Sequence, residues 1–551
     1  MRRLPALLSS LCLALAAPAL AWQAPPAETP SIYGEVIDVR VVNVEVVVTD
    51  RQGNRVQDLK PGDFRLTVDG KEVPIEYFTE VRGGQSVAAP AAEGTPAPAG
   101  PPSAAAGGAV GTSYLLFVDD FFSTSFQRNE VLESLKTQVA QLRPEDRMAI
   151  VAWDGGRITV LSNWSGSQAQ LSRALDAAKG RKARGIDRVT EFRSFRREME
   201  FAQQAVGDNT PLSLESRMTA SGLSGPELNY ADVLSRQVEG AVAATVSALR
   251  GFANPPGRKV LLLMAGGWPF SITSYIRGDA AIPTSRQVPD GEELLRPLSN
   301  TANLLGYTIY PVDVPGVSTA AATSEADAPV SFSTFAEQEI EGSLRFLAQE
   351  TGGTALVNNN RIAALAKTNE DISSYYWLGF TPAWKKDDKR HKVDVKVTRP
   401  GLSVRSRTGF LDLSKKAEVS MMVESALLFG GFPGSVPMPV RLGEAVKTKK
   451  GLEIPVTLGL PASILTLVPH DGKLAAELEL RVAASDENGN SSEMPVIPLK
   501  LASDKPPKEG GFVRYDTKIT LKGKAENLVL AVYDPVSGKL ATAQAKVPPT
   551  P

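Results

Sequence analysis

The run Val118-Asp119-Asp120-Phe121-Phe122-Ser123-Thr124-Ser125 places two carboxylates and three hydroxyls at the end of a continuous apolar stretch, Tyr114 to Val118. Oxygen donors of this kind suit a hard divalent cation such as Mg²⁺, Mn²⁺ or Ca²⁺. The hydroxyls also have a local use, because Thr124 and Gln127 are spaced as a capping box for a following helix. Other side-chain chemistry is scarce. The 551 residues include two His and one Cys, so the commonest general acid-base residue is nearly absent and a zinc site of the usual His and Cys spacing cannot be assembled. His391 precedes alternating Lys and Val and reads as an exposed strand residue, while His470 stands in a turn before Asp471; neither has a partner in sight. The chain contains no Gly-x-Ser-x-Gly elbow, Walker loop or dinucleotide fingerprint. Asp486-Glu487-Asn488-Gly489-Asn490 has the composition of a calcium loop, but Ser491 stands where Gly is needed and Asn488-Gly489 fits a hairpin turn better.

The elements that must position these residues follow from pattern. Arg2 and Arg3, an apolar run from Leu4 to Ala17, and Ala19-Leu20-Ala21 before Trp22 read as a signal peptide over 1–21. Its removal would take Cys12, leaving no cysteine and therefore no disulfide. Export to the periplasm or the exterior is expected, with no transmembrane segment remaining. Residues 31–82 read as a small β-sandwich-like domain, with Asp69-Gly70 as a hairpin turn. Pro, Ala, Gly and Ser dominate 83–112, the composition of a disordered linker. From 113 to 413 apolar strands alternate with helical patterns, predicting about six strands in a doubly wound, Rossmann-type α/β domain with helices on both faces. Its first strand ends at Asp119, where open parallel sheets hold their ligands. An insertion at about 180–226 has eight basic and four acidic residues between Lys179 and Glu200. Val189, Phe192, Phe195, Met199 and Ala202 recur there at helical spacing. The insertion reads either as a lid recognising an acidic partner or as a solvated charged face that packs its apolar stripe on the domain. Residues 374–410 alternate as a β extension, and 414–551 is strand and turn throughout, a C-terminal β-sandwich.

These pieces resemble a von Willebrand factor A domain, and more narrowly the bacterial exported VWFA-related family. The resemblance is carried by Val44 to Asp50 with Asp63-Phe64 and Asp69-Gly70, by Leu116-Phe117-Val118-Asp119-Asp120, and by Gly257 to Leu263. Its most specific piece is Leu347-Ala348-Gln349-Glu350-Thr351-Gly352-Gly353, followed by Tyr375 to Phe380 and Arg399 to Arg405. In metal-binding A domains the first strand leads into Asp-x-Ser-x-Ser, a later loop supplies Thr, and an Asp follows the fourth strand. Here Phe121 or Phe122 takes the place of the first Ser, and the fourth strand runs into Met264-Ala265-Gly266-Gly267 without a carboxylate. Asp119, Asp120, Ser123 and Thr190 are then a degenerate metal set, a thin shell for a hard cation.

The expectation is therefore no cofactor, with Mg²⁺, Mn²⁺ or Ca²⁺ on that set as the alternative. The resemblance implies a non-enzymatic protein-binding or adhesion-type protein whose strand-end face, centred on Asp119, Asp120, Ser123 and Ser125, meets a protein ligand. The alternatives are an envelope scaffold with no ligand site and a carboxylate-based hydrolase. The formal net charge of -1 excludes the broad positive field of a nucleic-acid binder.

Overall fold

A computed structural model describes residues 41–87, 109–205, 223–277 except 254 and 256, 288–315, 330–414, 436–449, 451–470, 472–485, 496–521 and 527–547, with single positions between 417 and 423. The signal peptide, most of the 83–112 linker, the 206–222 part of the insertion and the 486–490 segment lie outside the described residues. No described helix is long and apolar enough to cross a membrane.

Among the described residues five short strands come first: β1 (Val42–Thr49), β2 (Phe64–Val68), β3 (Lys71–Glu72), β4 (Tyr77–Arg82) and β5 (Gln85–Val87). Asp69 and Gly70 turn β2 into β3 with φ of 49° and 79°, the paired positive values of a tight hairpin turn, which Gly adopts without a Cβ penalty.

The central layer holds β6 (Thr112–Asp119), β7 (Arg147–Trp153), β8 (Ile158–Ser165), β9 (Arg258–Ala265) and β10 (Tyr307–Asp313) in the order β10-β9-β6-β7-β8. Four of these strands are parallel, and β8 closes one edge antiparallel to β7. The sixth strand predicted from pattern is reduced to one parallel bridge between Val312 and Leu356. Every residue of β6 is buried, as a central parallel strand covered on both faces requires. Leu115, Phe117, Leu261 and Leu263 face one core, and Tyr114, Leu116, Val260 and Leu262 the other.

Among the described residues eight helices complete this layer: α1 (Ser125–Gln138), α2 (Gln168–Lys179), α3 (Gly185–Ala205), α4 (Gly225–Gly251), α5 (Ile272–Arg277), α6 (Gly291–Leu305), α7 (Val330–Thr351) and α8 (Ala364–Ile372). Val131, Leu132 and Leu135 of α1 and Leu171 and Leu175 of α2 pack on one face of the sheet with Leu365 of α8. Val238 and Val242 of α4, Leu295 and Leu298 of α6 and Leu344 and Leu347 of α7 pack on the other. Each such side chain contributes roughly 1.5–3 kcal/mol by leaving water.

After α8 come β11 (Tyr375–Phe380), β12 (Lys389–Val397), β13 (Ser403–Ser406) and β14 (Gly409–Asp412). They interleave with the first five strands in two sheets, β13-β1-β11-β4-β5 and β14-β12-β2-β3. The sandwich expected at 31–82 is thus completed by the strands expected as an extension at 374–410: β1 lies between β11 and β13, and β2 pairs with β12. Neither segment has a full apolar face alone; together they enclose Val44, Val46, Leu66, Leu378, Val393 and Val395. This sandwich joins the central layer at the beginnings of its parallel strands. Glu45 of β1 pairs with Arg258 of β9 at 2.6 Å and accepts from Thr308 Oγ1 at 3.1 Å. The strand ends bearing Asp119 are at the opposite edge.

The last region has two sheets around Ile454, Leu458, Leu480 and Leu530. One is led by Gly451–Pro461 paired with Phe512–Leu521, the other by Lys473–Ser485 paired with Val496–Ser503 and Asn527–Tyr533. The chain as a whole is mixed α/β with several sheets.

Candidate functional site

β6 delivers Asp119 and Asp120 to its C-terminal end, and α1 begins five residues on, so 120–124 must turn within a few ångströms of the strand. Asp119 makes that turn. Its Oδ1 accepts from the backbone N–H groups of Phe121 at 3.0 Å and Phe122 at 3.1 Å, and its Oδ2 accepts from the Trp268 indole N–H at 2.9 Å. The residue is wholly buried, and burial pushes its carboxyl up to about 7. Trp268 follows β9, the neighbour of β6 at the point where the strand order reverses, which is the crevice that open α/β sheets offer to ligands. Here the indole fills it, 1% exposed.

Asp120 turns towards α1. Arg128 Nη1 donates to its Oδ1 at 2.5 Å and Arg181 Nε to its Oδ2 at 2.5 Å. Asp120 and Arg128 have no exposed side-chain surface, while Arg181 keeps 20%. The rest of the Arg128 guanidinium is satisfied by the carbonyls of Lys179 and Arg181 and by Asn129 Oδ1. Burial raises the Asp120 carboxyl, and the Arg181 and Arg128 guanidiniums oppose that rise.

The start of α3 closes over this loop. Arg184 N–H donates to the Asp120 carbonyl at 2.7 Å and Gly185 N–H to the Ser123 carbonyl at 2.9 Å. A Cβ on Gly185 would meet the Ser123 carbonyl oxygen at 2.5 Å, so only Gly permits the approach. Arg188 lies over the Phe121 ring, 4.6 Å from its centroid.

The expected site residues are therefore assembled only in part. Asp119, Asp120 and Ser123 are together, but they are buried, and as the centre of a partner-binding face they are corrected: no partner can reach them in this arrangement. Thr190 does not join them. It is exposed on α3, its hydroxyl donating to the Ile186 carbonyl of its own helix at 2.9 Å. As a cation shell the set fits poorly. All four oxygens of Asp119 and Asp120 have protein donors, and two of those donors are guanidiniums that would repel a cation. Ser123 Oγ, buried and without a hydrogen-bond partner among the described residues, is the one vacant oxygen.

Capping also differs from expectation. Thr124 is the N-cap of α1 with extended dihedrals, but its hydroxyl contacts the Gln127 side chain and makes no bond to the first-turn backbone. Exposed at this edge are Ser125, Phe126 at 79% and, across the Gly185 contact, Ile186 at 61%, with Arg184 and Asp187 beside Ile186 in the chain. The apolar stripe of α3 is otherwise used inward: Phe195 stacks on Tyr230 at 4.4 Å, and Phe192 lies 5.1 Å from Tyr275.

Sequence reasoning missed the arginines and Trp268. Arg128 has a signal, since an Arg on the first turns of a helix entered from Asp120 lies within reach of it. Trp268 directly follows Gly266-Gly267, in the segment read only for its missing carboxylate. His391 is corrected as well: it is 9% exposed and its Nδ1 lies 2.7 Å from Asp69 Oδ2. Comparison of the chain with protein-family models and with curated proteins finds no match.

Proposed function

We propose that this is an exported, non-enzymatic protein-binding protein whose central layer is von Willebrand A-like and whose strand-end face binds an acidic protein partner without a metal ion. The observation that carries this reading is the pair Phe126 and Ile186, 79% and 61% exposed, flanking the Ser123–Gly185 contact. Large apolar side chains held in water on a packed scaffold mark interaction surfaces when they occur together. The basic residues Lys182 and Arg184 are exposed just before Ile186 in the chain, and Arg193 and Arg197 are exposed further along α3, which favours an acidic partner through complementary charge. Asp119 and Asp120 serve this face indirectly by fixing the 120–124 turn, with Arg128 and Arg181 supplying the positive charge that a cation supplies in metal-dependent A domains. The buried carboxylates also argue against a hydrolase, because neither can touch a substrate.

The test is site-specific photo-crosslinking in the producing cell envelope. A crosslinker at position 126 or 186 should capture one acidic protein, unchanged by chelator and weakened by salt. The same group at Phe512, exposed on the C-terminal region, should not capture it. Equal labelling from all three positions, or capture that disappears with chelator, would reject this function.

A further inference from the structure

The four-stranded sheet β14-β12-β2-β3 contains a cluster unrelated to the strand-end face. Three of its side chains, Asp387, His391 and Asp412, bring one ligand atom each within 4.8 Å of one another. Asp387 precedes β12, His391 lies on β12, and Asp412 ends β14, whose register sets Asp412 opposite Lys389 and Phe410 opposite His391. The imidazole is oriented from two sides. Phe410 stacks on it at 5.3 Å, and Asp69, from the turn between β2 and β3, faces Nδ1 at 2.7 Å. In the tautomer whose Nδ1–H donates to Asp69, Nε2 carries the lone pair. That nitrogen is buried and has no hydrogen-bond partner among the described residues, and Asp387 Oδ1 is 3.5 Å away.

Asp412 shows the same incompleteness. It is 1% exposed, and its Oδ2 accepts from the backbone N–H groups of Lys385 at 2.6 Å and Lys386 at 3.0 Å. Its Oδ1 is buried with no partner among the described residues. An unpaired carboxylate oxygen and an unpaired imidazole nitrogen in one buried cluster are each costly to leave bare. One divalent ion would satisfy both. Three carboxylates, Asp69, Asp387 and Asp412, surround a single imidazole, with Lys385 and Lys389 close enough to stabilise Asp69 and Asp387.

We infer that Asp387, His391 and Asp412 bind one Zn²⁺ ion, with Asp69 orienting His391 and water completing the coordination. Nitrogen in the donor set favours zinc over Ca²⁺ or Mg²⁺, which take oxygen alone. Zn–N and Zn–O bonds of about 2.0–2.2 Å at the tetrahedral angle separate ligand atoms by about 3.4 Å, close to the His391–Asp387 spacing of 3.5 Å. A carboxylate behind the ligating His is the usual second partner of zinc-binding imidazoles. The ion clamps the loop before β12 to β14 and, through Asp69, to the hairpin of β2 and β3. Asp387, with 27% of its side chain exposed, is the entry side.

The test uses the full chain, freed of metal with chelator and titrated with Zn²⁺ by calorimetry and with Co²⁺ by visible absorption. One equivalent should bind, and Co²⁺ should show the intense bands of four-coordinate geometry. His391→Gln should abolish uptake, and Asp69→Asn should weaken it about 10–100-fold. Asp412 holds two backbone N–H groups and its loss would disturb the fold, so Asp387→Asn, on the partly exposed side, is the decisive variant; it should weaken binding at least tenfold with the circular dichroism spectrum unchanged. Asp119→Asn should bind as the native chain does. No uptake by the native chain would show that Asp387, His391 and Asp412 are held by their protein contacts alone. Uptake by Asp387→Asn and His391→Gln as tight as that of the native chain would place the ion elsewhere, and either result overturns the site.

Discussion

Replacing Asp120 with Ala should destabilise the central layer. Asp120 accepts two guanidinium hydrogen bonds of 2.5 Å. Its loss leaves Arg128, whose side chain has no exposed surface, with neutral acceptors only. Arg181, 20% exposed, can turn to solvent. Removing one member of a buried pair typically costs about 3–5 kcal/mol, because the other charge stays buried and uncompensated. With a urea m-value of about 3 kcal/mol per molar for a unit of this size, about 4 kcal/mol lowers the midpoint by roughly 1.3 M. The buried Trp153 and Trp268 report that transition by fluorescence. Arg181→Ala should shift the midpoint less, because Asp120 keeps its Arg128 partner and the lost guanidinium was partly exposed rather than left behind as a buried charge. The double change Asp120→Ala with Arg128→Met should recover much of the loss, as a well-packed apolar replacement of a buried pair often does. A shift under about 0.3 M for Asp120→Ala, or no recovery in the double variant, would refute the view that Arg128 and Arg181 hold this carboxylate as a structural pair.

Asp119 and Asp371 should give opposite pH dependences. Burial lifts Asp119 from 3.8 to about 7; the folded state then binds the extra proton, so its contribution is full below about pH 4 and is lost as pH rises through 7, with a slope on the order of 1 kcal/mol per pH unit. Urea midpoints between pH 5 and 8 should fall accordingly, and Asp119→Asn should flatten that fall. Burial also raises Asp371, but Arg405, Tyr310 and Arg55 outweigh it and hold the carboxyl at about 2. Its contribution is therefore full above about pH 4 and lost as pH falls through 2, and Asp371→Asn should lower the neutral-pH midpoint while weakening the acid transition. Gly185→Val should push α3 off the Ser123 carbonyl and cost about 1–3 kcal/mol, read as faster proteolysis within 185–205; an unchanged cleavage rate would mean that the Gly185 contact does not fasten the helix.

Local pattern carried the central layer because a buried parallel strand leaves an unbroken apolar run. Tyr114 to Val118, Lys259 to Met264 and Tyr307 to Val312 all became strands of one sheet, and the alternation between its two cores follows from residue parity alone. The two-sheet sandwich was less legible. Its pairings join β1 to β11 and β2 to β12 across the entire α/β layer, and alternation shows that a strand has a buried face without showing which strand covers it. The candidate site divides along the same line. Two carboxylates at the end of β6 can be read directly, but their meaning depends on donors that come from elsewhere in the chain: Arg181 lies 61 residues on and Trp268 lies 149 residues from Asp119. The same Asp-Asp ending is a cation site where later loops supply more oxygens, and a neutralised structural turn where they supply guanidinium and indole N–H. The burial of His391 follows from the same alternation. The residue shares parity with Val393 and Val395, both buried, so the alternation that placed the lysines outside should have placed the imidazole inside. A buried imidazole needs a partner for each nitrogen. Asp69 was already in view as the first residue of a hairpin turn, and the β2–β12 pairing brings that turn to His391, 322 residues away in the chain.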